Sequence, residues 1–228
     1  MITRSVKIKP LSILPGIFLA VCLFAGALFS IKILRLSGVT GISEESSLII
    51  SRLFLWLCLL ILYAYVRKVE HQKLLLWRPK KTSSVFYIVS FFVLIISIFA
   101  VAIILKKIES LYGLTENSER LKTLLHIFRN NTPLFIFTVF TAAVIEELLF
   151  RGYLIPRLQL FFKNAYLPVI ISSILFGLAH FGFNNISQMI NTGCIGLITA
   201  IHFSKYRNIY ILIVVHFVID IIGVYTAP

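Results

Sequence analysis

Acidic residues are scarce in this chain. Asp and Glu together number 9 among 228 residues, against 22 Lys and Arg, and all charged residues make up 14%. A soluble globular domain is about 45–50% apolar; here the hydrophobic share is 59%, which excludes that class. Cysteine is scarcer still, with three residues. Cys22, Cys58 and Cys194 each fall inside an apolar run, without CxxC spacing, so they form neither a disulfide framework nor a thiolate metal cluster and read as buried thiols. There is no internal repeat, no low-complexity segment, and no polar stretch long enough for a separate soluble domain.

Long apolar runs take the place of what is missing. Mean hydropathy is +0.95 and 20 residues are Phe. A helix needs about 20 apolar residues to cross a ~30 Å hydrocarbon core. The runs that qualify are Leu11–Leu34, Leu48–Val66, Val85–Leu105, Pro133–Tyr153, Ala165–His180, Ile186–Phe203 and Ile209–Tyr225. The fifth is short. The first follows Arg4, Lys7 and Lys9 and imitates a secretory signal, but it exceeds the usual ~7–15-residue signal core and reads as an uncleaved span. The fold class is therefore all-α: a polytopic membrane bundle of about seven helices. Residues 1–132 hold the N-terminal spans and loops, and 133–228 hold a four-helix core.

The net charge of +13 would suit a nucleic-acid binder only if it were gathered on one face. It is scattered instead through short loops between apolar runs, so no nucleic-acid partner is expected. With the N-terminus inside, 14 of the 22 basic residues fall on the inner side, including the segment Arg67–Thr82 as well as Arg151 and Arg157. The other eight, Arg52 among them, fall outside or near span ends. The chain is expected to lie in a membrane with its N-terminus inside, and a bacterial cytoplasmic membrane is the expected location. Arg67–Thr82 reads as a topological anchor, with binding of anionic headgroups as the alternative. In the outer loop, "LTENSERLKTLLHIF" reads as a short amphipathic helix capped near Thr115 or Asn117.

The ionisable residues within the last four spans are Glu146, Glu147, Arg151, His180, His202, His216 and Asp220. A charge at the bilayer centre costs at least ~2.5–3.5 kcal/mol by insertion scales, which makes such residues functional candidates. Glu147 and Arg151 stand at i, i+4 and can pair on one helix face. Glu146, about 100° further round, is left without an equivalent partner. His216 and Asp220 also stand at i, i+4, as do Phe176 and His180. His202, beside Lys205 and Arg207, reads as interfacial. A free carboxylate, two imidazoles and an Asp can activate a water or hold a metal.

These motifs, in the order Glu-Glu-x-x-x-Arg, Phe-x-x-x-His and His-x-x-x-Asp, resemble the signature of the CAAX prenyl proteases and the related CPBP (Abi) intramembrane peptidases. The resemblance covers about Leu134–Tyr225. It implies a helical core around a water-accessible cavity in which peptide bonds are hydrolysed. Glu146 would be the general base and His180 would help hold the water, while Glu147 and Arg151 would orient Glu146. His216 and the residue at 220 would stabilise the oxyanion. On a metalloendopeptidase reading, Glu146, His180 and His216 would instead bind a divalent ion such as zinc. The family often carries Asn at the last position; an ionised Asp220 has no proton to donate to an oxyanion, which favours His216 for that role.

The implied substrate is a peptide or membrane-protein segment, admitted laterally from the bilayer or from the cytosolic side. Relatives are linked with bacteriocin maturation or self-immunity. Two other classes fit part of the pattern. A non-catalytic scaffold or immunity protein would keep the fold, and a proton-coupled transporter would also bury Glu, His and Asp, although the latter should show repeats and matched helix breaks. Oligomeric state has no signature here.

Overall fold

The computed structural model describes residues 10–112, 119–180 and 186–226. Among them every regular element is helical. The elements are α1 (Pro10–Leu36), α2 (Glu44–Lys68), α3 (Ser84–Leu111), α4 (Glu119–Asn130) and α5 (Thr132–Glu146), a π-helix (Glu147–Leu154), then α6 (Ile155–Leu158), α7 (Tyr166–Leu178), α8 (Ile186–Tyr206) and α9 (Ile209–Thr226).

Polar side chains mark where the apolar runs become helices. Ser43 and Ser83 accept the amides of Ser46 and Phe86 at the starts of α2 and α3. Asn131 accepts that of Leu134, with Pro133 in the first turn of α5. Asn208 accepts those of Tyr210 and Ile211 at the head of α9. Each of these satisfies an amide that the first turn leaves without a helical partner.

Among the described residues, five helices are long and apolar enough to cross a bilayer: α2, α3, the continuous Thr132–Leu158, α8 and α9. The chain is a multi-pass integral membrane protein. Two of the seven expected spans differ from the simple picture. α1 is bent by 64° between Ser12–Ala27 and Phe29–Leu36. The bend falls beside Gly26, a residue that weakens a helix interior. α7 has 13 residues, roughly 20 Å at ~1.5 Å per residue, and cannot cross alone. It starts late because a turn at Asn164 precedes Tyr166, and it ends early as the His180 amide closes onto Gly177 O.

The span Thr132–Leu158 is the centre of the bundle: 61% of its most apolar 18-residue stretch is buried, against 17% of the matching stretches of α2 and α3. One apolar cluster joins Phe24, Leu55, Leu62 and Val66 of α1 and α2 to Phe150, Tyr153 and Phe176. The N-terminal spans thus pack directly on the C-terminal core. α3 shows Phe92, Ile96, Ile103 and Ile104 on its outer face, the surface a lipid-facing helix needs. α4 confirms the expected amphipathic helix, setting Leu121, Leu125 and Phe128 against Phe135, Val139 and Val224. The suggested caps at Thr115 and Asn117 lie outside the described residues.

The end of the bundle opposite α4 is tied by a pair the sequence did not suggest. Arg157, counted above as an inner loop charge, is fully buried. Its guanidinium pairs with both oxygens of buried Glu70, donates to Leu74 O, and lies 3.7 Å from the Tyr153 ring centroid. Arg151 is buried as well, so neither belongs among loop charges. The segment after Lys68 packs on the core through Trp77, which stacks on Phe203, and Lys80, which donates to Lys205 O. His202, expected at the interface, is buried between Phe86 and Tyr206. Cys22, expected to be buried, is exposed on α1, while Cys58 donates to Leu23 O.

Candidate active site

The local cause of the site is a change of helix type at the two glutamates. The amide of Glu147 reaches both Ala143 O and Val144 O, and from there to Leu154 the backbone runs as a π-helix. A π-segment is wider than an α-turn and occurs frequently at functional sites. Here it carries Glu147 and Arg151, buried on one face at 1% exposure each.

Arg151 is held from four sides. Nη1 donates to Glu147 Oε1 at 2.9 Å. Nη2 donates to Thr199 Oγ1 at 2.7 Å and Gly196 O at 3.3 Å, both on α8. The guanidinium carbon lies 4.2 Å above the Phe176 ring, a cation–π contact. A Cβ at Gly196 would stand 3.0 Å from the Phe176 ring, so Gly196 allows this stack to form.

The same carboxylate holds His216. A carboxylate facing a guanidinium only accepts, so His216 Nδ1 donates to Glu147 Oε1, at 3.0 Å. That bond fixes the ring and turns Nε2 to the other carboxylates. Nε2 lies 3.6 Å from Asp220 Oδ2 and 4.0 Å from Glu146 Oε2. Glu146 Oε2 is buried and has no hydrogen-bond partner. Glu147 and Arg151 therefore orient His216, where the sequence suggested Glu146.

His180 reaches this group from the end of the short α7. Its Nδ1 lies 2.9 Å from Phe176 O, and its ring is 5.2 Å from that of Phe176, which in turn is 6.0 Å from His216. On the sequence alone, a full-length fifth span would carry His180 toward the outer surface, away from Glu146. In the structure both side chains line one cavity. α7 is held close against α8: a Cβ on Gly177 would fall 2.8 Å from Met189 O and 3.1 Å from Gly193 Cα. Small residues let helix backbones approach in this way.

Glu146, Glu147, Phe176, His180, His216 and Asp220 all line one cavity of about 1430 Å3. The three motifs thus meet. Arg52 of α2 lines it too, although the sequence reading set it among charges outside or near span ends. Its position inside the apolar run Leu48–Val66 was a usable signal, the same one that singled out Glu146. Thr199 and Gly196, which complete the setting of Arg151, carry no such signal. The cavity extends to Lys32, Arg35 and Glu44, at the α4 end of the bundle.

Residues 128–222 match the family of type II CAAX prenyl endopeptidase, Rce1-like, proteins. The likeness covers this C-terminal segment, which resembles the CAAX protease family. No curated protein and no solved structure matches the chain. The matched CAAX protease segment holds all three motifs and begins near the end of α4, so α1, α2 and α3 lie outside it.

Among the described residues, no three His, Cys, Asp or Glu side chains are grouped so as to hold an ion. His216 Nδ1 is engaged by Glu147 and His180 Nδ1 faces Phe176 O, which leaves each Nε2 as the nitrogen a metal would take. Glu146, His180 and His216 as they stand do not form a ligand set.

Proposed function

We propose that the chain is an intramembrane endopeptidase in which Glu146 activates the attacking water. The observation that carries this reading is a single geometry. A buried carboxylate oxygen without a partner, Glu146 Oε2, lies 4.0 Å from His216 Nε2, whose other nitrogen is pinned by Glu147. One water can hydrogen-bond both atoms across that distance.

Glu146 takes a proton from this water as its oxygen attacks the peptide carbonyl carbon. The carbonyl π electrons move to oxygen, giving a tetrahedral oxyanion that faces His216 and His180. Glu146 then returns the proton to the amide nitrogen as the C–N bond breaks, releasing an amine and a carboxylic acid. Positioned acid–base catalysis of this kind contributes typically ~10²–10⁴-fold.

The substrate is a peptide or membrane-protein segment. The cavity's polar mouth at Lys32, Arg35 and Glu44 favours access from the α4 end rather than from the end carrying Arg67–Thr82. With the N-terminus inside, as the basic loops suggest, that mouth is external, so cytosolic access would require the opposite orientation. A bacterial cytoplasmic membrane remains the proposed location.

The test is Glu146→Gln in detergent, using a peptide the parent cleaves. Gln keeps the shape but cannot act as the base. The variant should accumulate and melt like the parent while cleavage falls at least ~10²-fold. A parental cleavage rate in Glu146→Gln would reject hydrolysis by this residue and favour a scaffold that retains the fold.

A further inference from the structure

The motif-bearing helices bring three carboxylates to the cavity, Glu146, Glu147 and Asp220, but only one guanidinium beside them. That one, Arg151, is committed to Glu147, Thr199 and Gly196. Glu146 and Asp220 have the His216 imidazole beside them, at 4.0 and 3.6 Å, so a permanent positive charge has to come from another helix. At the cavity mouth, Arg35 is occupied by Glu44 at 3.2 Å. Arg52 is different. It lies on the face of α2 formed by Ser47, Ser51 and Leu55, all of which line the same cavity. Its Nε is buried without a hydrogen-bond partner, and its guanidinium acts electrostatically on both Glu146 and Asp220.

We propose that Arg52 is the counter-charge of this site, a positioning residue on α2 that allows Glu146 and Asp220 to stand together beside His216. Charges that face one another across a low-dielectric cavity interact far more strongly than they do in water. A guanidinium inside an apolar span is costly unless it answers an opposite charge. Arg52 answers two. It comes from a helix outside the matched segment, so this part of the site is built jointly by the N-terminal spans and the CAAX-protease-like core. The catalytic half of the inference rests on the hydrolytic reading above; the electrostatic half does not.

The experiment compares Arg52→Gln, Arg52→Lys, Asp220→Asn and Arg52→Gln/Asp220→Asn in the full chain, reading melting in detergent and peptide cleavage. Arg52→Gln should lower the melting midpoint and reduce kcat about 10-fold or more, the size of a coupling between neighbouring charged groups. Its KM should stay within about twofold, because Arg52 acts through Glu146 rather than on the substrate. Arg52→Lys keeps the charge and should retain most of both properties. In the double variant, Asp220→Asn should restore much of the melting lost in Arg52→Gln.

Additive melting losses in the double variant, or parental melting and rate in Arg52→Gln, would overturn the proposal. A raised KM with unchanged kcat would also overturn it, by making Arg52 a substrate-binding group. If Arg52→Gln fails to accumulate, Arg52→Lys and the double variant still decide: both must accumulate. If the parent itself cleaves nothing, the hydrolytic reading fails while the melting comparison still tests the counter-charge.

Discussion

His216 Nδ1 and Arg151 Nη1 share one oxygen, Glu147 Oε1, at 3.0 and 2.9 Å. A single carboxylate thus secures both the ion pair inside the π-helix and the orientation of an imidazole 69 residues away. The two duties separate by mutation.

Replacing Glu147 by Gln or Arg151 by Met leaves a buried charge without its partner, which typically costs ~3–5 kcal/mol. Both single variants should melt lower and accumulate poorly. The double variant removes both charges and should recover most of that stability. It should not recover cleavage, because His216 loses the carboxylate that sets its ring. Melting curves and cleavage rates of the three variants check this; full recovery of both properties would mean that Glu147 does not position His216.

Glu70 and Arg157 form the second buried pair, at the end of the bundle away from the cavity mouth. Glu70→Gln should destabilise by about 3–5 kcal/mol, since Arg157 would remain buried and charged. Replacing the pair together by Gln and Met should restore much of the loss. Cleavage by the molecules that do fold should be close to parental, because neither residue lines the cavity. Detergent melting combined with activity per folded molecule measures this.

The helical membrane class was legible from run length and hydropathy, because lipid leaves helices as the economical way to satisfy the backbone of apolar segments. The meeting of Glu146, His180, His216 and Asp220 was legible because embedded charges are costly and seldom incidental. Other features depend on what sequence periodicity does not encode. The i→i+5 pattern after Glu146 has the same side-chain chemistry as an α-helix. Arg157 finds Glu70 87 residues away, so neither local spacing nor loop counting could pair them. Arg52 is a lone charge within the apolar stretch Leu48–Val66 until the cavity across from it is known. The role of Glu147 shifted from Glu146 to His216 because the contact is made between helices.

Topology offers an independent check. α3 starts at the end of the bundle where Lys80 meets Lys205, and α9 starts at Ile209 on that same end. α9 runs 18 residues, and Arg129 of α4 donates to Val224 O near its far end. Reporters fused after Lys81 and after Pro228 should therefore read on opposite sides of the membrane. On the proposed orientation the first is cytoplasmic. Finding both on one side would contradict the bundle; finding them opposite but reversed would change only the orientation, and would turn the cavity mouth to the cytosol.

The last prediction concerns a residue with no polar atom in its side chain. Gly177 sits on α7 three residues before His180, where α7 meets α8. A methyl group there would press to 2.8 Å on a backbone oxygen, Met189 O, and to 3.1 Å on Gly193 Cα. Backbone cannot swing aside as a flexible side chain does, so Gly177→Ala must push the two helices apart. Overpacking of this kind typically costs ~1–3 kcal/mol. The movement is passed to His180, and displacements of about 1 Å at a reacting group can cost ~10²-fold in rate. Gly177→Ala should therefore lower both melting and cleavage, with the rate affected more than the fraction folded. Gly223→Ala is the control for stability: no atom stands within 4 Å of its added methyl, and Ala favours a helix over Gly by about 0.5–1 kcal/mol. It should melt at or above the parent. Should Gly177→Ala melt and cleave like the parent, the close contact of α7 with α8 is not what holds His180 at the depth of Glu146.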